Sequence, residues 1–157
     1  NSISIHLRGG DTMVQNTQKQ ILSPWKYYKK VLDEYKYDHI NIIHEDKLNS
    51  CIEKFKEIEN VYFQSLSVKE DVQKMCKAKH FMLSYSTFDL IVFFISTNLE
   101  RIYLPKYLAD YWYPELDWGM EKIIVDFKNY DSNLWLGKSL EQKRKFLIDY
   151  DGEMEFI

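Results

Sequence analysis

Apolar and polar residues alternate from the first positions of the chain. Ile3-Ser4-Ile5-His6-Leu7 has the period of two of a β-strand, and Gly9-Gly10 stops it in a tight loop. Positions 9 to 23 are polar and irregular, a long functional loop by their length. Ser23-Pro24 has the form of an N-cap followed by proline at the first helical position. Trp25, Tyr28, Val31, Leu32 and Tyr35 then recur at helical spacing. His39 to His44 forms a second apolar run, and Leu48, Cys51, Ile52 and Phe55 share one face of a helix predicted over 47–58. Val61-Tyr62-Phe63 gives a third strand, and Ser67-Val68-Lys69-Glu70 a capping box that opens the next helix. His80 to Tyr85 reads as a fourth strand, with Ser86-Thr87 capping an apolar helix from Phe88 to about Thr97. Arg101 to Leu104, ended by Pro105, is a fifth strand and Lys122 to Phe127 a sixth. A closing helix is predicted over 139–150.

Strands separated by helices of ten to fifteen residues build βαβ units and a parallel sheet. Several of the strands are unbroken apolar runs, as expected where helices cover both faces of a sheet. The fold class is therefore α/β, a Rossmann-like parallel sheet with helices on both faces. It reads as a single nucleotide-binding domain over residues 1–157. The chain opens on Asn1 and runs straight into the first strand, which reads as a fragment of a longer protein.

Composition narrows the class. At 45% apolar and 29% charged, with five Gly and three Pro, the chain is neither collagenous nor disordered. The longest apolar run, Leu90 to Ile95, falls far short of the ~20 residues that cross a bilayer. Membrane association is therefore expected only through segments outside this chain. A net charge of −3 offers no general attraction for nucleic acid, which is not expected as a partner. Two cysteines, Cys51 and Cys76, are too few for a disulfide framework and fit free thiols or one bridge. No dinucleotide fingerprint, P-loop, zinc motif or nucleophile elbow is present. No metal or cofactor is expected.

In open α/β sheets ligands bind beyond the carboxyl ends of the strands. That rule selects four segments: His6 to Asp11, His44 to Asp46, Ser84 to Thr87, and the loop after Leu104. Arg8 carries five fixed donors that match phosphate oxygens, and Gly9 and Gly10 let backbone N–H groups approach an anion. The same residues also fit an Arg–Asp pair closing a turn, with His6 in the core. Ser84, Ser86 and Thr87 offer hydroxyls and a helix start to a phosphate, or a plain N-cap. His44, Glu45 and Asp46 suit a ribose or a purine edge, or decorate a helix start. Tyr111, Trp112, Tyr113 and Trp118 are candidates for a sugar or base pocket. Asp149-Tyr150-Asp151 reads as surface carboxylates rather than a metal motif.

These segments come in a telling order. His6-Leu7-Arg8-Gly9-Gly10-Asp11 resembles the H-x-R-R-G-D strand end of the α-1,2-fucosyltransferase family, glycosyltransferase family 11. Its wider relatives, the α-1,6- and protein O-fucosyltransferases, share H-x-R. His44-Glu45-Asp46 stands where the family has a short acidic segment, and Ser84-Tyr85-Ser86-Thr87-Phe88-Asp89-Leu90 is similar to its N-S-T-F-S-W turn. Pro105-Lys106 and Asp117-Trp118 look like its later proline and D-W pair. The likeness runs over about residues 2 to 125. The second arginine of the motif is Gly9 here, its asparagine is Tyr85, and its S-W is Asp89-Leu90.

The resemblance implies the donor-binding half of a two-Rossmann (GT-B) enzyme that uses GDP-fucose. Its partners would be a nucleotide sugar and a glycan acceptor. It gives Arg8 the β-phosphate and support of the departing GDP, with Asp11 as a further catalytic candidate. The binding set implied is His6, Arg8, Gly9, Gly10, His44, Glu45, Asp46, Ser84, Ser86 and Thr87. Inverting, metal-independent fucosyl transfer is the expected activity. The alternatives are a transferase for another nucleotide sugar and a non-catalytic nucleotide- or glycan-binding module. A bacterial or viral source would place the enzyme in the cytoplasm, a eukaryotic one in the Golgi lumen.

Overall fold

A computed structural model describes residues 1–15, 21–112 and 119–157. It contains β1 (Ser2–Leu7), α1 (Gly10–Val14), α2 (Trp25–Tyr35), β2 (His39–His44), α3 (Cys51–Phe55), β3 (Val61–Gln64), α4 (Val68–Cys76), β4 (His80–Met82), α5 (Thr87–Ile95), β5 (Arg101–Pro105), α6 (Lys106–Trp112), β6 (Glu121–Phe127), α7 (Leu140–Asp149) and β7 (Met154–Phe156), with a 3-10 turn at Ser132–Leu134.

The strands form one sheet in the order β3-β2-β1-β4-β5-β6-β7. All neighbours pair in parallel except β6 and β7. From β1 the chain winds outward to β3 and then returns to lay β4 on the other side of β1. That reversal makes the β1/β4 boundary the topological switch point of a Rossmann sheet.

Side chains alternate across the central strands. Ile3, Ile5, Leu7, Ile40, Ile42, Met82 and Tyr103 face one side, with Tyr27, Tyr28, Val31, Phe55, Trp135 and Leu147 packed over them. Phe81, Leu83, Ile102 and Leu104 face the other side, beneath Met75, Val92 and Phe93. Ser4 and His6 are also buried and fall on this second side by alternation.

The strands and most helices lie where the apolar pattern puts them, with several corrections. The helix after Ser23 begins at Trp25. Pro24 is its extended N-cap (ψ 162°), while Ser23 Oγ lies 3.0 Å from the Tyr107 hydroxyl. The helix predicted over 47–58 shortens to α3 because Asn49 turns the chain. Its Oδ1 accepts the Cys51 N–H at 3.0 Å, and its Nδ2 donates to the Arg8 carbonyl at 2.9 Å. The strand predicted to run to Tyr85 ends pairing at Met82, since the Ser84 N–H is drawn to the Asp89 carboxylate instead. The loop predicted over 9–23 holds α1, and α6 and β7 are additional to the predicted elements. The Ser67–Glu70 capping box is present as expected. Both cysteines are free thiols, Cys51 buried and Cys76 half-buried. No described helix is long and apolar enough to cross a membrane.

Candidate active site

β1, β2 and β4 run parallel, so their carboxyl ends share one rim. Register sets Leu7 beside His44 and Ile5 beside Met82, which gathers three of the four selected segments at the switch point. His6, Arg8, Ile43, His44, Glu45 and Phe88 line a cleft of about 130 Å³ there, closed on its far side by Ser65 to Asp71 and Met75. Whole-ligand pockets hold about 300–1,000 Å³. This cleft is smaller than such a pocket.

Arg8 stands at the mouth of this cleft, its side chain 22% exposed. Its Nη2 donates to Asp11 Oδ1 at 2.5 Å, and its Nη1 lies 3.5 Å from Glu45 Oε2. Both carboxylates are more exposed than the guanidinium they touch. Exposed pairs of this kind contribute about 0–1 kcal/mol, whereas a phosphate takes two charge-assisted hydrogen bonds from one guanidinium. Glu45 is thus a weak partner of Arg8, and Asp11 is the closer one. Asp11 Oδ1 also accepts the Thr12 N–H at 2.9 Å, which fixes that carboxylate to the start of α1.

The two glycines serve the acidic segment of β2. Gly10, at φ +47°, donates its N–H to Asp46 Oδ2 at 2.6 Å, and Asp46 Oδ1 accepts the Leu48 N–H at 2.7 Å. A Cβ built on Gly9 would overlap the Asp46 carboxylate. Gly9 is thus required by a close approach, and a carboxylate fills the space that a larger side chain would need. The Gly10 N–H, expected to face an anion, is committed to Asp46. His44 Nδ1–H donates to the Asp46 carbonyl at 3.1 Å.

At the β4–α5 turn the candidate hydroxyls separate. Ser86 is the N-cap of α5 and its Oγ accepts the Phe88 N–H at 3.2 Å. Thr87, the first helical residue, is exposed on the rim. Ser84 points inward: its N–H and Oγ–H donate to Asp89 Oδ2 at 2.9 and 3.3 Å. His6 joins them, its Nδ1 2.7 Å from Asp89 Oδ1 and 3.2 Å from Ser84 Oγ. Asp89 is wholly buried, and burial raises its carboxyl above the ordinary value against the pull of His6 and Ser84.

Sequence reasoning missed Asp89 and Asn49. Asp89 had a signal in its spacing, because it shares the inward face of α5 with Val92 and Phe93. Tyr113, Asp117 and Trp118 lie outside the described residues, as do the side chains of Tyr111 and Trp112. Asp149 of the D-x-D pairs with Lys145 on the surface. A larger cleft, about 680 Å³, opens between α2 and β7 at Lys26, Lys29, Lys30, Lys128 and Glu153. Its charges are consumed locally, Lys29 by Asp33 and Lys128 by Glu155. It lies by the β6–β7 pair at the edge of the sheet, away from the β1/β4 switch point.

Residues 1–110 match the family model of glycosyl transferase family 11. The chain belongs to glycosyl transferase family 11. No curated protein and no solved structure matches it. Family 11 membership makes the chain a fucosyltransferase-like glycosyltransferase, whose substrates are a nucleotide sugar and a glycan acceptor. The matched span includes β1 to β5 and every residue of the rim described above.

Proposed function

We propose that this family 11 domain transfers fucose from GDP-fucose to a glycan hydroxyl with inversion, by one in-line displacement at the anomeric carbon. The observation that carries the reading is Arg8 at the switch-point rim, held by Asp11, partly exposed, and lining one cleft with Glu45 of the β2 exit and Phe88 of α5. Negative charge grows on the departing diphosphate, so donors aimed at it in advance supply most of the rate. Arg8 is that donor, with the exposed first turn of α5 and Thr87 beside it. Asp11 serves as its holder. No metal is invoked, because the guanidinium faces the developing charge. Glu45 swings from Arg8 to the ribose or the base over the β2 exit, and the cleft above His44 takes that part of the donor.

Arg8→Ala is expected to lower GDP-fucose turnover by at least ~100-fold, the size of a lost transition-state donor. Near-unchanged turnover would remove Arg8 from catalysis. One observation favours a second donor: the Asp46 carboxylate stands against Gly9, where the H-x-R-R pattern has its second arginine. A panel of GDP- and UDP-linked hexoses tests it, and faster turnover of another sugar would replace fucose in this reading.

A further inference from the structure

Asp89 is a buried carboxylate on the first turn of α5, aimed at the end of β1. Its Oδ2 is filled by the Ser84 N–H and Oγ–H, and its Oδ1 faces His6 Nδ1 at 2.7 Å. A carboxylate only accepts hydrogen bonds, so Nδ1 must carry the proton of the contact. Nε2 is then the free ring atom, with no partner among the described residues. The ring lines the same cleft as Arg8, two residues along the strand and on the same side of it. The other titratable groups facing the cleft are His44 and Glu45 from the β2 exit and Asp71 from α4. Behind Asp89, the buried phenols of Tyr27 and Tyr28 feel its charge.

A carboxylate beside a neutral imidazole leaves one net negative charge under the site. Beside an imidazolium it leaves none. An anion entering the cleft favours the second state, since each opposite charge nearby stabilises the protonated ring.

We propose that Asp89 is a positioning residue that turns His6 into a proton-linked contact for the diphosphate. Its Oδ1 holds the proton of the contact on Nδ1 and leaves Nε2 without a partner among the described residues. When a nucleoside diphosphate settles beside Arg8, Nε2 takes one proton from solvent and donates it as a hydrogen bond to a phosphate oxygen. Asp89 balances the charge, and no bond of the ligand breaks. This rests on the nucleotide-binding reading above and adds a second cationic contact to Arg8.

The test is calorimetric titration of the full chain with GDP at pH 7.5 in two buffers of different ionisation enthalpy. Imidazole nitrogen shifts of the ligand-free protein are recorded alongside. The native chain is expected to show the Nδ1–H tautomer at His6. It should also take up about half a proton more on binding than Asp89→Asn, whose GDP affinity falls about twofold at this pH, the linkage worth of half a proton gained by a neutral ring. Ser84→Ala, which keeps the carboxylate, should retain the uptake, and melting curves verify that both variants fold. Equal proton uptake by the native chain and Asp89→Asn would overturn the proposal while nucleotide binding stands. A His6 ring in the Nε2–H form would overturn it whether or not GDP binds. Absence of GDP binding to the native chain would instead strike the reading beneath it, and the proton linkage with it.

Discussion

The two faces of the sheet are built to different ends. Under α2, α3 and α7 the core is continuous and aromatic. Phe55 meets Trp25 and Tyr28 edge-on at 5.0 and 5.4 Å, and Trp135 is enclosed to 1%. Under α4 and α5 the apolar cluster is smaller, and polar side chains enter it at the rim: His6, Ser84 and Asp89 are all buried there. Along that side Leu66 before α4, Val68 in α4, and Ile91 and Ile95 in α5 are exposed. One face supplies cohesion, and the other gives up apolar contact to hold charged groups in fixed positions. Buried polar groups cost stability unless their donors and acceptors are met, and here both Asp89 oxygens are met within the network while His6 Nε2 is left to the cleft. Stability and chemistry are therefore separable by face.

Variants on each side break or sharpen that contrast. The largest effect belongs to Phe55→Ala, expected to cost about 3–5 kcal/mol in denaturant unfolding while GDP affinity changes less than about threefold. A large affinity change would show that the faces are coupled. Arg8→Ala should do the reverse, losing turnover as above while unfolding within about 1 kcal/mol of the native chain, because its ion pairs are exposed. Gly9→Ala should cost about 1–3 kcal/mol by driving a methyl into Asp46. Asp46→Ala made together with it should recover part of the loss, read as the coupling in a double-mutant cycle.

Smaller effects come from titration. Burial raises the Asp89 carboxyl, so its proton is held more tightly in the folded state. The stability this contributes is complete below the ordinary carboxylate value of about 3.9 and is lost as pH rises through the folded-state value. The Tm of the native chain relative to Asp89→Asn should therefore fall as pH climbs from about 4 and then level off. A pH-independent difference would contradict the burial. Smallest is thiol labelling. Cys51 is enclosed and its thiol is pushed up by burial, whereas Cys76 is half-buried. The native chain should label Cys76 first and release Cys51 only on denaturation.

The contrast also explains what the amino-acid pattern revealed. Strands with unbroken apolar runs and helices with caps were visible, because their periods and caps are local. α1 was hidden since Gly9 caps it without a side-chain bond, and α6 because it follows Pro105 directly. β7 has three residues, too few to show a period, and its pairing to β6 is long-range. At the site, Arg8, His44 and Glu45 converged as the strand-end rule requires, since parallel neighbours must share a rim. The inward turn of Ser84 and the role of Asn49 depend on partners 5 and 41 residues away. No local pattern records the second of these. Lys143, fully buried in the charged helix α7, is another case. Its Nζ donates to the Met13 and Gln15 carbonyls at 3.2 and 2.8 Å and fixes the end of α1 below Arg8.

Amide chemical-shift mapping of the chain with added GDP tests the central claim most directly. The account predicts shifts concentrated at Arg8 to Thr12, His44 to Asp46 and Ser84 to Asp89, lost in Arg8→Ala. Shifts centred instead on Lys26 to Glu34 and Glu153 to Glu155, unaltered by that substitution, would contradict it.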